Sequence, residues 1–500
     1  MTLKSCLFLS VFVSGLIACQ PKDQKDPDSA SVEAPVIIQV TAENYLGGKE
    51  FCEAYKDITQ KEVGRYVSVP VDYAHPEKGS LEIYAYTNKT FDPQKPSYIF
   101  VDGGPGQNTH GVMPEFLGGT YNEIRFDQRG LGCSAPETYQ QYKDPSLYSS
   151  LNNIQDMDEI RKAYGIDKWS VYGLSYGTVP ATMYGSKYSK QTVSVVLEGV
   201  VGRLDLVHDS DYKAEKLNLM LSVLGDIQRQ SFSRLMKTKS KERSVVLAYL
   251  FDQFYRDIGM READVWLENV ITADGEIHND VIAKKKEEMM ARSHRFKWPQ
   301  QPVATDDNIL TIIYCKNLGK REKPAKGLFY SQSQAAFYVD SGDSDEEARE
   351  CDDIGVRVQD EAPYKMEEYT TDRPVYYFQG SHDGATLAEG AVAHFQTVPK
   401  GKSYFLLSQK GGHNPNLNRL SKKIEAPAKG LVFSSEQDSL FKAAVSAQEI
   451  TENLLKSVNA LEPADQKWLL FRNPDQKSVM EKEFEGIRRV EQSGFLPTGI

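Results

Sequence analysis

The stretch Gly173-Leu174-Ser175-Tyr176-Gly177 constrains the fold more than any other part of the chain. It lies between an apolar run at residues 169–172, which reads as a buried strand, and a helical pattern over residues 176–188. A serine on a tight strand-to-helix turn needs a strained backbone, and only glycine on either side avoids collision with neighbouring chain. Such a turn belongs at the carboxyl end of a parallel strand, so an α/β sheet is expected around it.

The surrounding pattern agrees. Residues 66–71, 81–87, 98–102 and 123–126 read as successive strands, β-branched or aromatic and punctuated by His75-Pro76 and Asp92-Pro93. A helix over 153–164, the strand at 169–172, the helix at 176–188 and a strand at 193–197 then alternate, as in a mainly parallel sheet covered on both faces. After Gly199 the spacing turns helical, as in Leu217, Met220, Leu221 and Leu224, and later Val246, Leu250, Phe254 and Ile258. Strand character returns at 374–378 and 404–407. Two domains in series would leave these last two strands orphaned, so the expectation is one α/β domain interrupted by a helical cap. Past residue 420 a further helical stripe is expected, opened by Ser435 and Asp438 in capping-box relation and continued by Phe441, Val445, Leu454, Val458 and Leu461.

The amino terminus bears on compartment. Lys4 precedes an apolar run at 6–17, shorter than the roughly 20 residues a membrane-spanning helix needs. Its end, Leu16-Ile17-Ala18-Cys19, resembles the bacterial lipobox, whose cysteine is lipidated, and Gln20 resembles the signal for the outer membrane. The expected organisation is a signal peptide at 1–18 and lipidated Cys19 with a flexible tether at 19–45. The first part of the core follows at 46–203, the cap at 204–371, the second part of the core at 372–420 and a helical extension at 421–500. This places the protein in the bacterial cell envelope, lipid-anchored at the outer membrane and facing the periplasm.

With Cys6 removed and Cys19 lipidated, four of the six cysteines remain in an oxidising compartment. Cys315–Cys351 is the expected pair because a local loop closes most readily, and Cys52–Cys133 follows by elimination. No cysteine or histidine spacing suits a metal, and none is expected. Among the 500 residues, 59 Lys and Arg face 70 Asp and Glu, a net charge of −11 that would repel a nucleic-acid backbone.

A serine hydroxyl is a poor nucleophile unless an imidazole, itself oriented by a carboxylate, removes its proton. Gly380-Ser381-His382-Asp383 and Gly411-Gly412-His413-Asn414 each follow a late strand, where ligands of open α/β sheets sit. Asp383 is therefore the expected acid, ahead of Asp352, Asp353 and Asp205. His413 is the expected base, ahead of His382 and His394. Gly103-Gly104-Pro105-Gly106, after the third strand, would aim a backbone N–H at a developing oxyanion. Asp127 and Arg129, in the stretch 127–134, read as loop braces.

Together GGPG, DQRGLGCS, GLSYGT, GSHD and GGHN, with Val69-Pro70-Val71-Asp72-Tyr73 and His75-Pro76, resemble the proline iminopeptidase and tripeptidyl aminopeptidase family of α/β-hydrolases. The resemblance spans about residues 65–200 and 370–415. It implies the α/β-hydrolase fold with an inserted cap, Ser175 as nucleophile, Asp383 as acid and His413 as base, with the Gly104 and Tyr176 amides as oxyanion donors. It further implies a peptide substrate shortened from its free amino terminus through an acyl-enzyme, with no cofactor; from the lipobox, membrane contact is expected through the lipid anchor only. Asp102 departs from the histidine the family often has before GGPG. A serine esterase or lipase on the same scaffold, and a non-catalytic binding lipoprotein, are the alternatives; oligomeric state stays open.

Overall fold

The computed structural model describes residues 42–54, 63–87, 89–106, 117, 119–202, 226–237, 266, 268–284, 309, 312–313, 315–316, 364–381, 383, 385–409, 411–417, 419, 439–462 and 467–472. The expected signal peptide, Cys19, most of the expected cap, Cys351 and the Ser435–Asp438 capping box lie outside these residues.

A short helix α1 (Gly48–Ala54) precedes β1 (Val63–Pro70), β2 (Ser80–Thr87), β3 (Ser97–Val101) and β4 (Asn122–Phe126). Helix α2 (Ser150–Ala163), β5 (Trp169–Leu174), α3 (Thr178–Lys187) and β6 (Thr192–Glu198) alternate after them. Helix α4 (Asp226–Lys237) belongs to the interruption. The pattern then resumes with β7 (Val375–Gly380), α5 (Ala388–Thr397) and β8 (Ser403–Ser408), followed by α6 (Ser439–Val445), α7 (Glu452–Asn459) and β9 (Trp468–Arg472).

The strands form one sheet in the order β1-β2-β4-β3-β5-β6-β7-β8-β9. Pairing is parallel from β4 through β8 and antiparallel for β1 with β2, β2 with β4 and β8 with β9. Val195 of β6 lies opposite Val375 of β7, so the sheet continues across the interruption as one body.

The central strands are buried on both faces, which is why they read as continuous apolar runs. Alternation still sorts their side chains. Ile99, Val101, Trp169, Val171, Tyr377 and Phe405 pack on the face bearing α2, α3 and α5, while Tyr98, Phe100, Tyr172, Tyr376 and Leu406 face α6 and α7. Phe441 of α6 sits edge-on to Tyr98 and Tyr172, with centroids at 5.6 and 5.0 Å. Burying such a ring contributes about 2–3 kcal/mol. The carboxyl end of α6 is satisfied by the sheet itself, since Ser170 and Ser194 hydroxyls donate to the carbonyls of Val445 and Ala444 at 2.6 and 2.7 Å.

The carboxyl-terminal segment differs from the expected helical extension in two ways. The helical stripe is broken between α6 and α7, where Ala447 takes φ +56° and Thr451 starts a new helix by accepting the Leu454 N–H at 3.2 Å. Trp468–Arg472 then forms an edge strand instead of more helix, because its short apolar run carries no helical period and finds the open side of β8.

Cys52 of α1 and Cys133 are joined by a disulfide, as expected, with Cα atoms 5.2 Å apart. Their sequence separation of 81 makes the link worth about 4.5 kcal/mol in the chain-entropy picture. Cys315 is also disulfide-bonded, and the expected partner Cys351 is outside the described residues.

Candidate active site

Ser175 directly follows β5 and has φ +54°, in the left-handed region that a non-glycine residue occupies only under constraint. The constraint is local packing. A Cβ on Gly173 would lie 2.3 Å from the Gly177 carbonyl oxygen, and one on Gly177 would lie 2.1 Å from that of Val101. The turn is further tied by the Thr178 hydroxyl, which donates to the Ser175 carbonyl at 2.6 Å and accepts the Val201 N–H at 3.0 Å. The Tyr176 ring is buried, with its hydroxyl 2.8 Å from Ser150 Oγ on α2, so the amide behind it is held on a rigid support.

Asp383 and His413 meet. The imidazole Nδ1 lies 3.1 and 3.0 Å from the two Asp383 carboxylate oxygens. Asp383 is fully buried and also accepts the N–H groups of Ala385 (2.8 Å) and Thr386 (2.9 Å), the Thr386 hydroxyl (2.8 Å) and Gln379 Nε2 (2.9 Å). Burial would raise its pKa, but the charge and hydrogen bond of His413 and the Thr386 donors outweigh that and hold the carboxyl below its ordinary value. For His413, burial pushes the pKa down, and the charge of Asp383, its hydrogen bond and the charge of Glu198 together bring it above the usual histidine value.

Because β3, β5, β7 and β8 run parallel, Gly103, Ser175, Asp383 and His413 all come off the same carboxyl edge. His413 reaches back across β7 to the end of β6. Gly199 there has φ +60°, and a Cβ on it would lie 2.7 Å from His413 Cε1 and 2.8 Å from Nδ1. Gly103 lies against the elbow, where an added Cβ would fall 2.9 Å from Ser175 Cβ and 3.5 Å from its Oγ. The Gly103 N–H is engaged by Asp102 Oδ1 at 2.7 Å, and Gly104 follows at φ +104°.

Asp127 and Arg129 brace the loops as expected. Asp127 accepts the Cys133 N–H at 2.8 Å. Arg129 makes a buried bidentate pair with Asp156 (2.7 and 2.8 Å) and donates to the carbonyls of Val71 and Pro70.

Among the rival residues, Asp205, Asp352, Asp353 and His382 are outside the described residues. His394 is in α5, buried, with Nδ1 2.8 Å from the Tyr377 hydroxyl and Nε2 3.1 Å from Thr182 Oγ1. Burial pushes its pKa down to about 3. An unfolded histidine takes up a proton near pH 6.5 and the folded one does not, so this residue's contribution to stability is complete above that pH and is lost as pH falls toward 3. The expected slope is about 1.4 kcal/mol per pH unit below pH 6, measured by urea unfolding as the difference between wild type and His394→Gln; equal slopes would refute the assignment.

Sequence reading passed over Glu198 and Gln379. Glu198 ends β6, and the only available signal was an acid closing an apolar strand ahead of a glycine. Gln379, one residue before the end of β7, accepts the Val200 N–H at 3.0 Å while donating to Asp383, and so ties the end of β6 to the acid's loop.

Residues 98–253 match the family model described as the alpha/beta hydrolase fold. A proline iminopeptidase of Xylella fastidiosa is 29% identical over 116 residues, which is 23% of this chain and 36% of that protein. A probable proline iminopeptidase of Streptomyces coelicolor is 28% identical over 129 residues, 25% of this chain and 40% of that one. The chain thus spans little more than a third of the length of these relatives. Among solved structures, a probable hydrolytic enzyme from Pseudomonas aeruginosa aligns with 78% of this chain and 100% of its own at 16% identity and a TM-score of 0.35. An alpha/beta fold family hydrolase from Bacillus anthracis aligns over 74% and 99% at 12% identity and a TM-score of 0.36. Sheet order, the strained elbow and the family match over residues 98–253 together show that this chain has the α/β-hydrolase fold.

Proposed function

We propose that this protein is a serine hydrolase that releases amino acids or short peptides from the free amino terminus of peptides through an acyl-enzyme on Ser175. The observation that carries the reading is the buried Asp383–His413 pair on the same sheet edge as the Ser175 elbow and the Gly103–Gly104 loop. In this mechanism His413 Nε2 takes the Ser175 proton as Oγ attacks the carbonyl carbon, and Asp383, held ionised, keeps Nδ1–H aligned and offsets the imidazolium charge. The Gly104 and Tyr176 amides receive the oxyanion. His413 then passes its proton to the leaving amine, and water repeats the sequence on the ester to free the acyl group.

The amino-terminal preference is supported by the family-like motifs and by the partial similarity to proline iminopeptidases. A charged α-amino group in a desolvated site needs a carboxylate partner, since leaving it unpaired costs several kcal/mol. Acetylating the amino terminus of a good peptide substrate is therefore expected to lower kcat/KM by about 100-fold or more, the loss of a contact worth roughly 3 kcal/mol. The measurement compares free and blocked versions of one fluorogenic peptide amide, beside short-chain esters. Equal cleavage of both peptides would remove the aminopeptidase reading and favour an esterase or endopeptidase on the same scaffold.

A further inference from the structure

Glu198 is fully buried at the end of β6, yet its partners are specific. Its Oε1 accepts the N–H groups of Asn416 at 2.7 Å and Leu417 at 2.9 Å, and its Oε2 accepts the Tyr172 hydroxyl. Asn416 and Leu417 lie in helical backbone that starts at Pro415, two residues after His413, and the next residue after Glu198 is the glycine against which the His413 ring rests. Among the described residues every hydrogen-bond partner of this carboxylate is a donor, so its hydrogen bonds favour the ionised form, while burial opposes it and pushes the pKa up to about 7. A buried acid in that position is costly unless what it holds matters.

We propose that Glu198 is a positioning residue for His413: its carboxylate fixes the start of the helix that follows His413 and so holds the imidazole at the strand beside the nucleophile, and in its ionised form it adds a second negative charge, after Asp383, to those acting on the ring. The role given to His413 rests on the serine-hydrolase reading. Among the described residues, the ionisable groups facing Glu198 are Tyr172 from β5 and His413 from the segment after β8. Asp383 lies beyond the imidazole, and Arg419 lies beyond Asn416, to whose Oδ1 it donates at 2.7 Å. Its β7 neighbour, Phe378, is uncharged.

Titration of His413, followed by NMR of protein carrying ¹³C-labelled histidine and assigned with His413→Ala, tests this without any substrate. Glu198→Gln keeps the shape and removes the charge. It is expected to lower the His413 midpoint by about 0.5 pH unit or more. With a cleavable substrate, kcat/KM should fall about 10-fold with KM little changed, because the imidazolium loses a stabilising charge and the segment after it a charge-assisted hold. Tyr172→Phe keeps the carboxylate but removes a donor that favours its ionised form, so a smaller shift in the same direction is expected; if Glu198→Gln does not fold, this variant decides. A His413 midpoint that stays in place in the folded variants overturns the proposal. Failure of wild-type protein to form a covalent adduct at Ser175 would instead remove the hydrolase reading, a separate outcome from the titration.

Discussion

Ser175→Ala is expected to lower kcat/KM about 100,000-fold or more on any substrate the protein turns over, with the unfolding midpoint unchanged within a few degrees. The size follows from what is removed: without Oγ no acyl-enzyme forms, and only binding and oxyanion stabilisation remain. The conservative stability outcome follows from the elbow, because the close backbone approaches around it are made at Gly173, Gly177 and Val101, not by the serine side chain. A fluorophosphonate adduct located by peptide mass spectrometry should appear on Ser175 in the wild type and vanish in the variant. Turnover that survives in Ser175→Ala would overturn the mechanism.

Asp383→Asn should have the second-largest effect, about 10,000-fold in kcat/KM, because the imidazole loses the charge that orients it and stabilises its protonated form. Here the substitution also disturbs the fold. Asp383 accepts from two backbone amides, the Thr386 hydroxyl, Gln379 and His413, and an asparagine must turn its NH₂ toward some of these donors. A buried donor facing donors adds a stability loss of about 1–3 kcal/mol, measurable by urea unfolding. A variant as stable as the wild type would mean that the Asp383 cage is looser than these distances show. One with normal activity would refute its role.

The first eight strands each lie within a few residues of their expected place: β3 to β8 because buried parallel strands declare themselves as short apolar runs, and the antiparallel β1 and β2 because β-branched and aromatic residues there are bounded by Gly and Pro. Ser175, Asp383 and His413 were legible for a related reason: each follows one of those runs in a glycine-bearing turn. What escaped depended on partners distant in sequence. Trp468–Arg472 becomes a strand only because β8 leaves an edge open. Glu198 looks like the polar end of a strand until the Asn416 and Leu417 amides, more than two hundred residues later, are brought onto it. The break between α6 and α7 depends on Ala447 in a left-handed conformation that no local residue preference announces.

The pairing of β6 with β7 also sets an order of events during synthesis. Val195, Val196 and Leu197 are sealed by a strand that the ribosome does not begin until Val375. At about 5–20 residues per second, β6 waits on the order of tens of seconds as the open, apolar margin of an unfinished sheet. Through that interval Ser175 is already made but His413 is not, so on the serine-hydrolase reading proposed above the nascent chain carries a nucleophile without its base.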